Sequence, residues 1–457
     1  MYKSNQHIHF VGIGGVGMSG IAEVLLNLGY KVSGSDLVEG EATRRLVSMH
    51  ADVHYGHASE NVAGAGAVVI SSAVKRDNPE VTAALEAGIP VIPRAVMLAE
   101  LMRLKWGIAI AGTHGKTTTT TLVAHVLAKG GLDPTSIIGG RVNAFGSNAK
   151  LGEGRFIVAE ADESDGSFKH LTPVIAVVTN IDPEHMDYYG TEDKLLDAFE
   201  DFIDSVPFYG LAVLCMDSDN VRNIMSRVQK RVVTYGTGKQ ADFIARDIKS
   251  EGVNSRFNVI HGGHVMGEVV LPAPGAHNVM NALAAVVVGL ELEIPFDVIC
   301  EGLASYQGIA RRFHIKHDSD DMTVIDDYAH HPAEIRATLK AARAAFPERR
   351  LLAVFQPHRY TRTRDLHGDF RDAFDDADAL VLTDVYAAGE EAIEGVSGEL
   401  IYDDVKEAGH KSVDYVPDKN NIVTYLIENS RKGDVIITLG AGDIFRRGEA
   451  FVKEYKG

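Results

Sequence analysis

The chain has 457 residues, 45% of them hydrophobic, and a formal net charge of −18. That length sets an expectation of about three domains, and the apolar share is ample for several cores. The acidic balance excludes nucleic acid or an anionic membrane as the main partner, because both call for a basic surface. Two cysteines, Cys215 and Cys300, lie far apart, so no disulfide framework is visible and a reducing compartment fits. The apolar run 10–28 raises the question of a signal peptide, but it holds five glycines and Glu23 and follows no strongly basic segment. The longest strongly apolar helical pattern, 279–290, is too short to cross a bilayer. A soluble, cytoplasmic protein is expected.

In chain order, the first element is a strand ending in a glycine motif, His9-Phe10-Val11-Gly12-Ile13-Gly14-Gly15-Val16-Gly17, followed by a helical pattern from Met18 to Leu28. A second strand, Lys31-Val32-Ser33-Gly34, ends at Ser35-Asp36, where a dinucleotide fold keeps its ribose-binding acid. Taken alone, these residues fit a nicotinamide oxidoreductase. Glycines at a helix N-terminus bind any diphosphate, however, so Gly14, Gly15 and Gly17 with Asp36 serve a UDP-sugar equally well. Ser71 and Ser72, after the strand 68–70, either border the same nucleotide or form a plain turn.

About a hundred residues further on stands Ala111-Gly112-Thr113-His114-Gly115-Lys116-Thr117-Thr118, between the apolar run 108–110 and a helical pattern at 122–127. Strand, glycine loop and helix are the setting of a phosphate-binding loop. Gly112 to Thr118 would turn backbone N–H groups toward phosphate oxygens, Lys116 would reach the β- and γ-phosphates, and Thr117 would ligate Mg²⁺. Ile110 stands where the usual pattern has a first glycine. ATP or GTP is the expected ligand.

The remaining chain alternates apolar strands (156–158, 175–178, 212–214, 351–355, 379–382, 435–439) with amphipathic helices such as 79–87, 193–205 and 332–345. That alternation is the pattern of parallel α/β sheets. The segment 232–271 is richer in glycine and short alternating pieces and predicts an antiparallel excursion. Glu160-Ala161-Asp162-Glu163-Ser164-Asp165 and Asn180-Ile181-Asp182-Pro183-Glu184-His185 follow strands at the edge where ligands gather. Their oxygens suit Mg²⁺, of which two could clamp attacking and leaving oxygens; His185 fits equally as a helix-start histidine. His277, Asn278 and Asn281 open a helix with groups able to meet an adenine or simply to cap it. Arg359 and Arg362, after the strand 351–355, stand three apart; one helical turn would place both forks on one face to grip a carboxylate, or Asp365 and Asp369 would pair with them.

Eight segments taken together (HFVGIGGVGMSGIAE, GTHGKTTTT, EADESDGSF, NIDPEHMDYYG, GAHNVMNALAA, GIARRFH, DDYAHHPAEI and FQPHRYTRT) resemble the Mur ligases in order and along essentially the full length, most closely the branch that adds L-alanine. The resemblance implies an α/β protein of three domains: a Rossmann-like UDP-binding domain at 1–104, a P-loop ATPase domain with a mostly parallel sheet at 105–310, and a Rossmann-like α/β domain at 311–457. It accounts for Ile110, since the family's loop begins at the Gly112 equivalent. It implies ATP and two Mg²⁺ as cofactors, with Thr117, Glu160 and His185 around the metals and Glu163 as the fallback carboxylate. UDP-N-acetylmuramate and L-alanine are the implied substrates, joined through an acyl phosphate. Catalytic roles fall to Lys116, Glu160, His185, Arg311 and Asp327; substrate contacts fall to Ser71, Tyr328, His330, Arg359 and Arg362. Sister ligases carry a carbamylated lysine where this chain has Glu200, so no carbamate is expected. Competing readings are a murein-peptide recycling ligase, a folylpolyglutamate synthetase (disfavoured by residues 1–104), a nicotinamide oxidoreductase and a regulatory nucleotide switch.

Overall fold

The computed structural model describes residues 6–71, 73–142 and 147–455. Strands β1 (His7–Val11), β2 (Lys31–Asp36), β3 (Asp52–Tyr55), β4 (Ala67–Ile70) and β5 (Val91–Pro93) form one sheet in the order β3-β2-β1-β4-β5. All four pairings are parallel. A parallel sheet is covered on both faces, which is why β4 reads as a near-continuous apolar run. Strand order reverses at β1, so its carboxyl end is a switch point, and the first glycine motif sits there.

The second sheet contains β6 (Trp106–Ala111), β7 (Thr135–Val142), β8 (Ser147–Lys150), β9 (Phe156–Glu160), β10 (Ile175–Val178), β11 (Leu211–Cys215), β12 (Val232–Gly236), β13 (Phe243–Glu251), β14 (Asn254–His261) and β15 (His264–Leu271). Its order is β15-β14-β13-β12-β11-β10-β6-β9-β7-β8. Here β6 lies between β9 and β10, both parallel to it, so the phosphate-loop strand is central and buried. The excursion expected over 232–271 starts later than its composition suggested. β12 pairs parallel with β11, because Val232-Val233-Thr234-Tyr235 continues the apolar ladder. Only after β13 do two-residue turns, Gly252-Val253 and Gly262-Gly263, join the strands, and links that short require antiparallel neighbours.

The third sheet holds β16 (His314–Asp318), β17 (Met322–Asp327), β18 (Leu351–Phe355), β19 (Ala379–Leu382), β20 (Val413–Tyr415) and β21 (Asp434–Leu439), ordered β16-β17-β21-β18-β19-β20. It is parallel except for the edge strand β16, which runs antiparallel to β17, so this sheet is mixed.

The chain packs as two compact units. The first takes most residues up to Tyr306; the second runs from Gln307 onward with two short stretches, Asp247–Phe257 and Val270–Val279. In the first, one apolar cluster extends from Phe10 and Leu25 through Ala109 and Phe168 to Phe202. In the second, Phe355, Phe370 and Phe374 fill one face of the sheet and Val354, Ile436 and Phe451 the other. Among the described residues no helix is long and apolar enough to cross a membrane.

Candidate active site

The phosphate loop takes its shape from two glycines. Gly112 has φ of 132°, and a Cβ there would lie 2.1 Å from Thr179 Oγ1. Gly115, at φ 82°, caps the helix Lys116–Lys129 and leaves no room for a side chain beside Asn281. Sequence reasoning missed the strut under this loop. Asn180 Oδ1 accepts from His114 N at 2.8 Å, its Nδ2 donates to His114 O at 3.0 Å, and Thr179 Oγ1 donates to the same carbonyl at 2.6 Å. Thr113 is tied in turn to Asp182, whose N–H donates to Thr113 Oγ1 at 2.8 Å. Asn281 Oδ1 accepts from Thr119 at 3.1 Å, so this residue does reach the loop's helix.

Lys116 curls over the loop and donates to Gly112 O at 2.6 Å, Thr113 O at 3.1 Å and Glu163 Oε1 at 2.8 Å. Burial opposes its charge, but Glu163, Asp162 and Glu160 outweigh that and hold its pKa above the ordinary lysine value. Glu163 is 1% exposed, and burial, reinforced by Asp162 and opposed by Lys116, pushes its carboxyl up to about 7. The adjoining main chain is pinned by Tyr189, whose hydroxyl donates to Glu163 O at 2.5 Å. His185 adopts a left-handed backbone, φ 58° and ψ 36°, uncommon for a non-glycine residue, and its Nε2 comes 4.0 Å from Glu163 Oε1. Glu163 thus meets both Lys116 and His185, and Glu160, at the end of β9, adds its charge to the field on Lys116.

These residues fit a divalent cation. Glu163 Oε2 is buried with no hydrogen-bond partner among the described residues, and the imidazole of His185 neighbours the same carboxylate. No three His, Cys, Asp or Glu groups among the described residues form a complete protein shell. Mg²⁺ keeps several waters and takes phosphate oxygens as ligands, so a partial protein shell suits it.

At the first glycine loop, Gly14 N donates to Asp36 Oδ2 at 2.8 Å and Leu37 N to Asp36 Oδ1 at 2.8 Å. Asp36 stands at the end of β2, and its carboxylate holds the main chain of the loop. A Cβ on Gly14 would lie 2.8 Å from Asp36 Oδ2, and one on Gly17 would lie 2.8 Å from Arg94 Nη1. Arg94, also missed, donates to Asp162 Oδ2 at 3.0 Å and so links the helix start after this loop to the acidic run beside Lys116. Gly15 is the N-cap of the helix Val16–Asn27. Ser71 follows β4, and Ser72 lies outside the described residues.

In the second unit, the carboxyl ends of β17 and β18 collect the other expected residues. Asp327 is 7% exposed and accepts from Phe313 N at 2.7 Å and Ala329 N at 2.8 Å; burial pushes it up to about 6, opposed by Arg312. It anchors the turn that presents Tyr328 and His330. Arg311, at φ 64°, donates to Gly440 O at 2.5 Å and Asp326 Oδ2 at 3.3 Å and stacks 4.9 Å from the Tyr328 ring centre. His330 lies 5.8 Å from His358, which stacks on Tyr386 at 5.6 Å. Burial, then His330, Arg362, Arg359 and Arg311, drive His358 down to about 3, so its ring is neutral near pH 7. His358 and Tyr386 carry no motif of their own, and His358 was visible only as the neighbour of the arginines.

The two arginines depart from the expected helical turn. Arg359 has φ 71° and is the N-cap, so it precedes the helix Tyr360–Leu366 that carries Arg362. Spacing alone assumed a helix through both. Asp365 is taken by Arg364 at 2.7 Å, and the exposed side chain of Arg359 makes no hydrogen bond within the second unit's described residues. His277 and Asn278 open the helix Ala276–Glu291, where Asn278 Nδ2 donates to Pro274 O at 2.8 Å, a capping contact.

Comparison with known proteins gives three family-model matches in chain order. They are "Mur ligase family, catalytic domain" at residues 7–106, "Mur ligase middle domain" at 110–289 and "Mur ligase, glutamate ligase domain" at 311–442. A UDP-N-acetylmuramate–L-alanine ligase from Geobacter sp. (strain M21) is 56% identical over 456 residues, covering 100% of this chain and 99% of the relative. The ligase of the same name from Geobacter sulfurreducens is 56% identical over 99% of this chain and 98% of its own length. Among solved structures, UDP-N-acetylmuramate-alanine ligase from Thermotoga maritima matches with a TM-score of 0.85 and 30% identity over 99% of both chains. A murein peptide ligase from Psychrobacter arcticus has a TM-score of 0.71 at 24% identity over 98% of both, a likeness of fold.

Proposed function

The chain belongs to the Mur ligase family, and from that premise we propose that it joins L-alanine to the lactyl carboxylate of UDP-N-acetylmuramate, with ATP converted to ADP and phosphate. The observation that carries this reading is the 56% identity with the alanine-adding ligase over the whole chain. The geometry accords with it, since an enzyme that activates a carboxylate with ATP needs a phosphate loop, a cation clamp and a separate grip for the incoming amino acid.

A carboxylate is a poor acyl donor because oxide would have to depart. Attack by a carboxylate oxygen on the γ-phosphorus breaks the bond to the β-phosphate oxygen and releases ADP. The deprotonated amine of L-alanine then attacks the acyl carbon, the acyl C–O bond breaks as phosphate leaves, and the nitrogen gives up one proton to become the amide N–H. Lys116, kept charged in a buried pair, stabilises charge on the equatorial oxygens during transfer. Thr117, Glu163 and His185 would hold Mg²⁺, with Glu160 a neighbour; the ion, when bound, neutralises the γ-phosphate and the attacking carboxylate. Gly14, Gly15, Gly17 and Asp36 receive the UDP part. Arg359 and Arg362 take the amino-acid carboxylate, while the neutral His358, Tyr328 and His330 flank it. Alanine carries no charged side chain, which accords with a neutral imidazole there.

The deciding assay is ADP release with UDP-N-acetylmuramate and each amino acid in turn, with a murein tripeptide as a further acceptor. L-Alanine should give the highest kcat/KM. Release driven by the tripeptide and not by L-alanine would replace this reading with the recycling ligase, and NADH binding with no ligase turnover would revive the oxidoreductase.

A further inference from the structure

The third sheet has a second edge that the ligase reaction does not use. At the amino ends of β18, β19, β20 and β21, opposite the edge bearing His358 and Arg359, lies a cleft of about 530 Å³ lined by Arg343, Glu348, Arg349, Arg350, Asp378 and Arg431, with Pro347 and Ser412 completing the wall. Four guanidinium groups in one cleft run against a chain whose net charge is −18. They are not equally committed. Arg343 pairs with Asp378 at 2.5 Å, and Arg350 with Asp434 at 3.0 Å. Arg349 has no carboxylate partner among the described residues: it donates to Gly433 O at 2.6 Å, Thr323 Oγ1 at 2.8 Å and Asp434 O at 2.9 Å. Those bonds fix the plane of its fork and leave two of its five N–H groups for a ligand. Arg431 is exposed, and its side chain makes no hydrogen bond within this unit's described residues.

From this arrangement we infer a binding site for a small oligophosphate at the amino edge of the third sheet, held by Arg349 and Arg431 with Arg343 and Arg350 behind them. The helix Pro332–Ala345 ends at this cleft, and its negative end would repel an anion, but Arg343 in its last turn offsets that. Arginine forks match phosphate oxygens in pairs, and the lining has no lysine, so planar recognition is favoured over a diffuse field. The volume falls within the range of small-molecule sites and exceeds what a lone phosphate fills. Glu348 and Asp378 on the wall disfavour a long polyanion such as nucleic acid and leave room for a compact ligand.

The test is titration of the full chain with inorganic pyrophosphate by calorimetry, without Mg²⁺. The phosphate loop and the first glycine loop are further pyrophosphate sites, so the titration is run with the first loop saturated by UDP-N-acetylmuramate and the arms are wild type, Lys116→Ala, Arg431→Glu and the double variant. Wild type should then bind two equivalents. Lys116→Ala should lose the loop site, and Arg431→Glu should weaken the cleft site at least tenfold while alanine-dependent ADP release stays at the wild-type rate. Ser412→Glu, which adds a carboxylate at an exposed wall position tied only through its main chain, should weaken the same site. If stoichiometry and affinity are the same in Arg431→Glu and Ser412→Glu as in wild type, the inference fails. Orthophosphate bound as tightly as pyrophosphate would also overturn it, because the cleft would then take any anion.

Discussion

Two glycine loops, at residues 12–17 and 112–117, share strand, loop and helix yet are equipped differently. The first puts glycines and a helix N-terminus around its ligand position and supplies no lysine; Asp36 holds Gly14 in place. The second adds Lys116 and sets it against Glu163, whose other oxygen has no partner. Glycine geometry is sufficient to cradle a diphosphate. Transferring a phosphoryl group also requires charge placed where charge develops, and only the second loop has it. On the proposed reading the same motif type binds in one place and reacts in the other, which is why the first, read alone, looks like a nicotinamide site.

The sharpest way to break this contrast is at Lys116. Lys116→Ala should lower alanine-dependent ADP release by about three orders of magnitude, in the range lost with a key transition-state contact, and leave UDP-N-acetylmuramate binding intact. Near-normal turnover would remove the distinction between the loops. The next largest effect separates the two carboxylates. Glu163→Gln should lower the rate at least about a hundredfold and raise the Mg²⁺ requirement, because it removes the anionic oxygen beside His185. Glu160→Gln should fall less, because its pull on the Lys116 charge is weaker than that of Glu163. Should the two rank in reverse order in a magnesium titration, Glu160 regains the metal.

The third sheet supplies another comparison. Lys116 is wrapped before its ligand arrives, while Arg359 is exposed at an N-cap. A fork kept open should be sensitive to its shape, so Arg359→Lys should raise the KM for L-alanine by about tenfold and leave the KM for ATP unchanged. An alanine KM that stays put in both Arg359→Lys and Arg362→Lys would move the amino-acid grip elsewhere. At the first loop, Asp36→Ala should raise the KM for UDP-N-acetylmuramate several-fold with kcat little changed, as expected of binding lost far from the chemistry. A fall in kcat alone would point to a role in closure or assembly.

The sequence revealed what local rules impose and hid what separate strands bring together. Gly112, Gly115 and Lys116 were legible because a phosphate loop needs glycines and a lysine at fixed offsets on one strand–helix turn. The parallel sheets were legible from alternating apolar runs, down to 351–355, which matches β18, and 435–439, one residue short of β21. Asn180, which braces His114, comes from a strand 66 residues on and has no pattern of its own. Arg94 is 68 residues from Asp162, and the direct bond from Lys116 to Glu163 spans 47 residues, so neither partner can be read from local spacing. Three-residue spacing misplaced Arg359 on a helix, since nothing in His358-Arg359-Tyr360 announces a left-handed residue at the cap. Val232–Gly236 looked like part of the excursion because glycine-rich hairpins follow it closely.

The smallest expected effect lies beneath the first loop and tests whether that loop rests on a prepared support. Glu80 is fully buried; its Oε2 accepts from Ser35 at 2.6 Å and its Oε1 from Asn61 at 2.5 Å, with His57 Nδ1 at 3.2 Å. The carbonyl of Ser35 in turn accepts from Gly12 N at 2.8 Å and Ile13 N at 2.9 Å, so the carboxylate reaches the glycine loop through one residue. Burial alone would raise the Glu80 carboxyl, but contacts with His9, Ser35 and Asn61 overcome it and hold it at about 2. His9 Nε2 stands 3.8 Å away, beyond hydrogen-bond reach, so Ser35, Asn61 and His57 make the direct bonds. A folded-state pKa below the ordinary 4.5 means stability that is fully present above that value and lost as pH falls toward about 2. Glu80→Gln should therefore destabilise the chain by about 1–3 kcal/mol near neutral pH, the cost of disturbing a buried hydrogen-bonded group. The penalty should shrink as pH drops from 4.5 toward 2, because the wild-type carboxyl then protonates as well. Urea unfolding of both chains between pH 3 and pH 7 measures it, those limits being set roughly by the titration window. Parallel stability curves across that range would show that Glu80 is not held ionised, and the first loop would then owe its position to glycine geometry and Asp36 alone.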